Sequence, residues 1–140
     1  MRPSTLIAFT VASLGLTSAA ATPNPKDLNV FEKRKCFESG VKYGDEKGEA
    51  QQLAKVACRF IFQGTYKKRQ YASKCYNLAS RKKSVKFAVA LSGPNAGATR
   101  YLGLDECYDG LHKEVVNCGR GGETTYGNWY YRADPNVGTC

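Results

Sequence analysis

The chain has 140 residues, six cysteines, one histidine and a formal net charge of +9. That length suits one domain with a modest core. A single histidine and no Cys-x-x-Cys pair exclude a Cys/His zinc site, and an even cysteine count argues against a cysteine nucleophile, which would leave an odd thiol.

The first residues read as an address. Arg2 precedes an apolar run from Leu6 to Leu16, and Ala19-Ala20-Ala21 supplies small residues for cleavage. This is a secretory signal peptide over residues 1–21, too short to span a bilayer. Residues 22–34 are polar, contain proline and end in Lys33-Arg34. Two readings of that dibasic pair stand: a kexin-type propeptide site, or an uncut exposed pair. The domain proper is 35–140, and it holds all six cysteines: Cys36, Cys58, Cys75, Cys107, Cys118 and Cys140. In a small secreted domain these imply three disulfides. The chain contains no Asn-x-Ser/Thr sequon, so no N-glycan is expected.

Gly44 to Gly64 reads as a helix, because Ala50, Leu53, Ala54, Ala57, Cys58 and Ile61 recur at helical spacing. Asp45, Glu46 and Glu49 precede Lys55 and Arg59, as the helix dipole favours. Lys74 to Ala79 and Ser84 to Leu91 form the next unit. In the second of these, Val85, Phe87, Val89 and Leu91 alternate with Lys86, Ala88 and Ala90. Gly93-Pro94-Asn95-Ala96-Gly97 breaks the chain. Asp105 to Asn117 is a second helix with Asp105 as its cap, Gly119 as its stop, and Gly110 as an internal cost of about 1 kcal/mol. Cys107 and Cys118 are too far apart along that helix to bridge. One choice among fifteen connectivities joins Cys58 to Cys107, Cys118 to Cys140 and Cys36 to Cys75.

The last stretch predicts a hairpin turning at Gly127-Asn128. Tyr126 then opposes Trp129, Thr125 opposes Tyr130, Thr124 opposes Tyr131, and Glu123 opposes Arg132. Side chains alternate between faces, so Thr124, Tyr126, Trp129 and Tyr131 share the core face. Glu123, Thr125, Tyr130 and Arg132 share the surface face, with Asp134 and Asn136 following in an Asp-Pro-Asn turn. A register shifted by one residue would instead expose Trp129 and Tyr131. Helix, hairpin, helix, hairpin gives an α+β, two-layer αββαββ sandwich: two helices on an antiparallel four-stranded sheet.

The closing motif, Gly121-Gly122 followed by W-Y-Y-R-A-D-P-N-x-G-x-C, resembles that of a small family of secreted fungal glycan-binding proteins. Its founding member is a mushroom lectin of αββαββ fold, and the likeness extends from about Cys36 to Cys140. The resemblance implies a lectin-like, non-catalytic glycan binder without a cofactor. It assigns no sugar contact residue by residue. Flat aromatic faces with fixed polar groups recognise sugars, and on that chemistry the candidates are Tyr130, Arg132, Asp134, Asn136 and, in the shifted register, Trp129.

Charge is uneven. From Lys35 to Arg100 there are 14 Lys/Arg and 4 Asp/Glu; from Tyr101 onward there are 3 and 6. Lys67, Lys68, Arg69, Arg81, Lys82, Lys83 and Lys86 form a candidate basic patch for phosphate, acidic glycan or an anionic membrane. An ordinary solvated face accounts for the same residues, and no nucleic-acid motif accompanies them. Acid–base catalysis lacks a pair of partners: His112 stands alone in a predicted helix, and Asp105/Glu106 fit a helix start. The expected partner is a glycan or glycoprotein on a host or microbial cell surface. The alternative is a killer-toxin-like or host-directed effector acting through its basic surface.

Overall fold

The computed structural model describes residues 34–140. The expected signal peptide (1–21) and residues 22–33, which include Lys33 of the dibasic pair, lie outside the described residues. Helix α1 (Lys47–Ala57) is preceded by a 3-10 turn (Gly44–Glu46) and followed by a π turn (Cys58–Phe62). Helix α2 spans Leu104–Asn117. The seven strands are β1 (Lys35–Cys36), β2 (Gly64–Lys67), β3 (Tyr71–Asn77), β4 (Lys83–Leu91), β5 (Thr99–Leu102), β6 (Gly122–Tyr126) and β7 (Trp129–Val137). The class is mixed α+β with antiparallel sheets, as expected. The sheet count differs: five strands pair in the order β1-β6-β7-β4-β3, and β2 pairs separately with β5.

The fifth strand is the short β1 on the edge of β6, and two sequence features set the ladders around β7. Gly127, in the left-handed region at φ 57°, and Asn128 at φ 71° form the tight turn that fixes the β6–β7 register. That register is Glu123 to Arg132, Thr124 to Tyr131, Thr125 to Tyr130 and Tyr126 to Trp129. The expected Asp-Pro-Asn turn is absent, because β7 runs straight on through Asp134, Pro135 and Asn136 while pairing with β4 as far as Val137 and Lys83. Pro135 is accommodated because β6 has already ended opposite Ala133, leaving β7 an edge on that side.

The helices cover one face of the large sheet, α2 over β7 and β6 and α1 over β4. Trp129, Tyr131, Phe87, Val89, Leu91, Phe62 and Leu111 are buried between the layers. Strands β2 and β5 close one end, where the Tyr66 ring meets Trp129 edge-on at 5.2 Å. The π turn also changes the expected helical stripe. Its extra residue per turn rotates Phe62 inward and leaves Ile61 44% exposed. At the start of α2 the cap is Gly103, in extended conformation, while Asp105 and Glu106 lie in the first turn.

All six cysteines pair, but only Cys58–Cys107 matches the expected set. The others are Cys36–Cys118 and Cys75–Cys140. The reason lies in β7. A turn at Asp134 would send the tail back toward α2, whereas nine strand residues carry it to the far end of β4. There Gly138 (φ 86°) donates to the Lys82 carbonyl, and the tail crosses to β3. The Cys140 amide donates to Asn77 Oδ1 at 2.7 Å beside the Cys75 bridge. Cys118 is thereby left for Cys36, which β1 brings in beside β6.

Candidate functional site on the open sheet face

Directly opposed residues share a face, so the face turned away from the helices can be read in rows across β3, β4, β7 and β6. One row is Tyr71, Ala90, Tyr130 and Thr125. The next is Ser73, Ala88, Arg132 and Glu123, with Lys35 beyond on β1. A third sets Lys86 against Asp134, and a fourth sets Ser84 against Asn136. Two tyrosines therefore flank an alanine, next to a row in which an arginine lies beside a second alanine. Strands are spaced by about 4.8 Å, so the Tyr71 and Tyr130 backbones stand about 10 Å apart across Ala90. Tyr71 is 54% exposed, and Tyr130 is half-buried.

Arg132 is clamped. Its Nη1 donates to Glu123 Oε2 at 3.3 Å and its Nη2 to Asp134 Oδ2 at 3.0 Å. The guanidinium also lies over the Phe37 ring, 4.8 Å from its centroid. Tyr130 Oη donates to the same Glu123 oxygen at 2.7 Å. Burial, then the bond to Glu123, pushes the Tyr130 hydroxyl up to about 12, so it stays a donor at neutral pH. Partial burial pulls Arg132 down, but its bonds to Asp134 and Tyr130 outweigh that and hold it more firmly protonated. Beside this cluster opens a cleft of about 420 Å³, lined by Lys35, Phe37, Glu38, Ser39, Arg132 and Asp134. The clamp fixes a planar cation between two carboxylates, and that cation lines the cleft.

Comparison with protein-family models and with curated protein sequences finds no match to this chain.

Of the sequence candidates, Tyr130, Arg132 and Asp134 come together on the open face. Asn136 lies further along the same strand, exposed, its Nδ2 donating to the Asp134 carbonyl at 3.0 Å. Trp129 does not join them: it is fully buried under the helices, because the register is the unshifted one. Tyr71 belongs to the site and was not a sequence candidate, since β3 was expected to begin only at Lys74. Its signal was present in the alternation of Tyr71, Ser73 and Cys75 against Ala72, which packs on the core.

The basic residues do not form one patch. Lys67, Lys68 and Arg69 lie before β3, and Arg81 and Lys82 lie beyond its other end, about 20 Å away at the usual rise of a strand. Lys86 is on the open face. Lys83 is not a free tip charge: its ammonium donates to the Lys42 carbonyl at 2.9 Å and the Tyr43 carbonyl at 3.3 Å, and sits 3.9 Å from Glu46. His112 lies on α2 with its ring tilted against Tyr108 at 5.0 Å. Glu106 faces Arg100 at 3.6 Å. Among the described residues no three of His, Cys, Asp and Glu gather as a metal site, and no helix is long and apolar enough to cross a membrane.

Proposed function

We propose that the chain is a secreted, non-catalytic, lectin-like protein that binds carbohydrate on its open sheet face. One observation carries this: the row Tyr71, Ala90, Tyr130, set beside an arginine already held between Glu123 and Asp134. An alanine between two tyrosines leaves a shallow trough with aromatic sides, the shape that the apolar face of a pyranose fills. The neighbouring Arg132 and Asp134 supply donors and acceptors for sugar hydroxyls. Their mutual bonds fix them before a ligand arrives, which lowers the ordering cost of binding. The likeness of the closing motif to that of secreted fungal glycan binders supports the same reading, and so do three disulfides, which suit an oxidising compartment. The expected partner is therefore a glycan or glycoprotein on a host or microbial surface. The test is a glycan array on the secreted protein, followed by titration of any hit with Tyr71→Ala and Tyr130→Ala. Each variant should lose at least about tenfold in affinity; unchanged affinity in both removes the site.

A second reading, an effector that docks a membrane or protein through basic residues, draws on the exposed Lys68, Arg69, Arg81 and Lys82 at the two ends of the β3–β4 hairpin. Binding of that kind should weaken steeply with salt, whereas binding of a neutral sugar should not.

A further inference from the structure

Glu114 is the most enclosed charge among the described residues. It lies near the end of α2, and its side chain is 1% exposed. Oε1 accepts from Arg34 Nε at 3.3 Å, while Oε2 has no hydrogen-bond partner among the described residues. Burial pushes the carboxyl up, and the Thr124 hydroxyl and then the Arg34 guanidinium offset that only in part. Thr124 from β6 and the Tyr43 hydroxyl face it, and Glu123, whose side chain lies on the open sheet face, adds a smaller upward push. Among the described residues, Arg34 is thus the one cation paired with this buried carboxylate. It is also the second residue of the dibasic pair Lys33-Arg34, after which a kexin-type protease would cut.

Cleavage there removes the cation, and breaking a buried pair from one side leaves an uncompensated charge, an expensive outcome. The same cleavage makes a replacement. Hydrolysis of the Arg34–Lys35 bond consumes one water, places a carboxylate on Arg34 and frees the Lys35 nitrogen as an α-ammonium. That nitrogen belongs to a residue whose backbone borders Glu114. The Lys35 carbonyl oxygen and Glu114 Oε2 lie 2.8 and 3.0 Å from the single point where a Cβ on Gly122 would sit, so both crowd the space that Gly122 leaves empty. The new terminus would also be tethered there. Lys35 pairs with Glu123, and Cys36 is bonded to Cys118, four residues beyond Glu114 at the end of the same helix.

We propose that maturation exchanges one cation for another on Glu114: the Lys35 α-ammonium takes the place of the Arg34 guanidinium. The buried carboxylate then reads the position of the cut, because only a chain that begins at Lys35 offers a charge at the right place. A terminus one residue longer presents its ammonium elsewhere and leaves Glu114 unpaired. The inference rests on cleavage after Arg34, and it is independent of what the open face binds.

The experiment uses the full chain, secreted from a host that has a dibasic-specific protease. It compares the natural sequence, a version with one glycine inserted between Arg34 and Lys35, and Glu114→Gln in both backgrounds. Intact mass should place the natural start at Lys35; a start upstream of it overturns the proposal. The α-amine, followed by pH-dependent acylation, should titrate at least about one unit above the ordinary 7.7–8.0 in the natural product, and at the ordinary value in the glycine-extended one. Thermal unfolding at pH 7 should favour the natural product. The sign follows from a pKa raised in the folded state: the advantage is full below about pH 8 and fades as pH climbs through the raised value. Glu114→Gln should abolish both differences. An ordinary amine pKa in the natural product, or equal stability of the two products at pH 7, overturns the exchange. Those two measurements suffice even where Glu114→Gln fails to fold.

Discussion

The Tyr131 ring lies directly on the bare backbone of Gly110. A Cβ on that glycine would fall 2.3 Å from Tyr131 Cζ, far inside contact distance. The hydroxyl at the tip of the same ring donates to the Glu106 carbonyl at 3.2 Å, one turn back along α2. Burial pushes that hydroxyl well above the usual tyrosine range, so the bond persists at any ordinary pH. A glycine in mid-helix, which sequence reasoning counts as a defect, is what lets α2 settle onto β7.

Gly110→Ala should therefore destabilise the protein, although alanine is the better helix former by about 1 kcal/mol. Forcing a methyl group into a filled core costs about 1–3 kcal/mol, and here it must displace a buried aromatic ring rather than a flexible tip. Chemical denaturation of the variant measures the balance. A gain in stability would mean that Tyr131 can shift without loss.

Neighbouring residues of β7 should separate stability from binding. Trp129 is wholly buried and meets Tyr66 edge-on, so Trp129→Ala should cost about 3–5 kcal/mol. Tyr130 is half-buried and gives up its hydrogen bond to Glu123. Tyr130→Ala should cost about 1–2 kcal/mol yet abolish the proposed sugar binding. Thermal unfolding and glycan titration on both variants check this; a folded Trp129→Ala that loses ligand while Tyr130→Ala keeps it would reverse the assignment.

That contrast was legible in the sequence because Gly127-Asn128 fixes a two-residue turn, and a turn of known length determines every pair behind it. The helices were legible from periodicity. What escaped depended on partners distant in the chain. Residues 134–136 carry turn chemistry, but β4 offers nine residues of ladder and overrides it. Ile61 fits an ideal helical stripe, and only the π turn shows that the phase slips. Two of the three disulfides depart from the expected pairing for the same reason as the turn, since the tail's path decides which cysteine it meets.

The tip of the β3–β4 hairpin tests the electrostatic reading, provided the right charges are removed. Lys83 must be spared, because its ammonium ties two main-chain carbonyls at the start of the first helical segment. Replacing Arg81, Lys82 and Lys83 together by serine would mix a structural loss with a charge effect. Arg81 has a left-handed backbone at φ 56°, where a side chain costs about 1–2 kcal/mol. Arg81→Gly with Lys82→Ser should thus hold or raise stability while removing two charges. Neutral-glycan binding should be unchanged and independent of salt. If binding falls in this double variant and also falls with salt in the parent, the basic ends of the hairpin are the working surface.

Reduction should open the three disulfides in a definite order. The sequence separations are 49 for Cys58–Cys107, 65 for Cys75–Cys140 and 82 for Cys36–Cys118. Loop entropy varies only logarithmically with length, so over this range it differs by less than about 1 kcal/mol. Access to sulfur then decides. Cys58 and Cys107 are both fully buried between α1 and α2, whereas Cys36 and Cys140 are exposed. A thiolate must reach a sulfur in line to attack it, so Cys75–Cys140 and Cys36–Cys118 should open under mild reduction with the fold intact. Cys58–Cys107 should open only with global unfolding. Timed reduction, alkylation and peptide mass mapping give the order directly. Loss of Cys75–Cys140 should cost little helical signal, because it releases only the tail that crosses from β7 to β3. Early opening of Cys58–Cys107, before any loss of far-ultraviolet signal, would mean that α1 and α2 separate while the sheet stays formed.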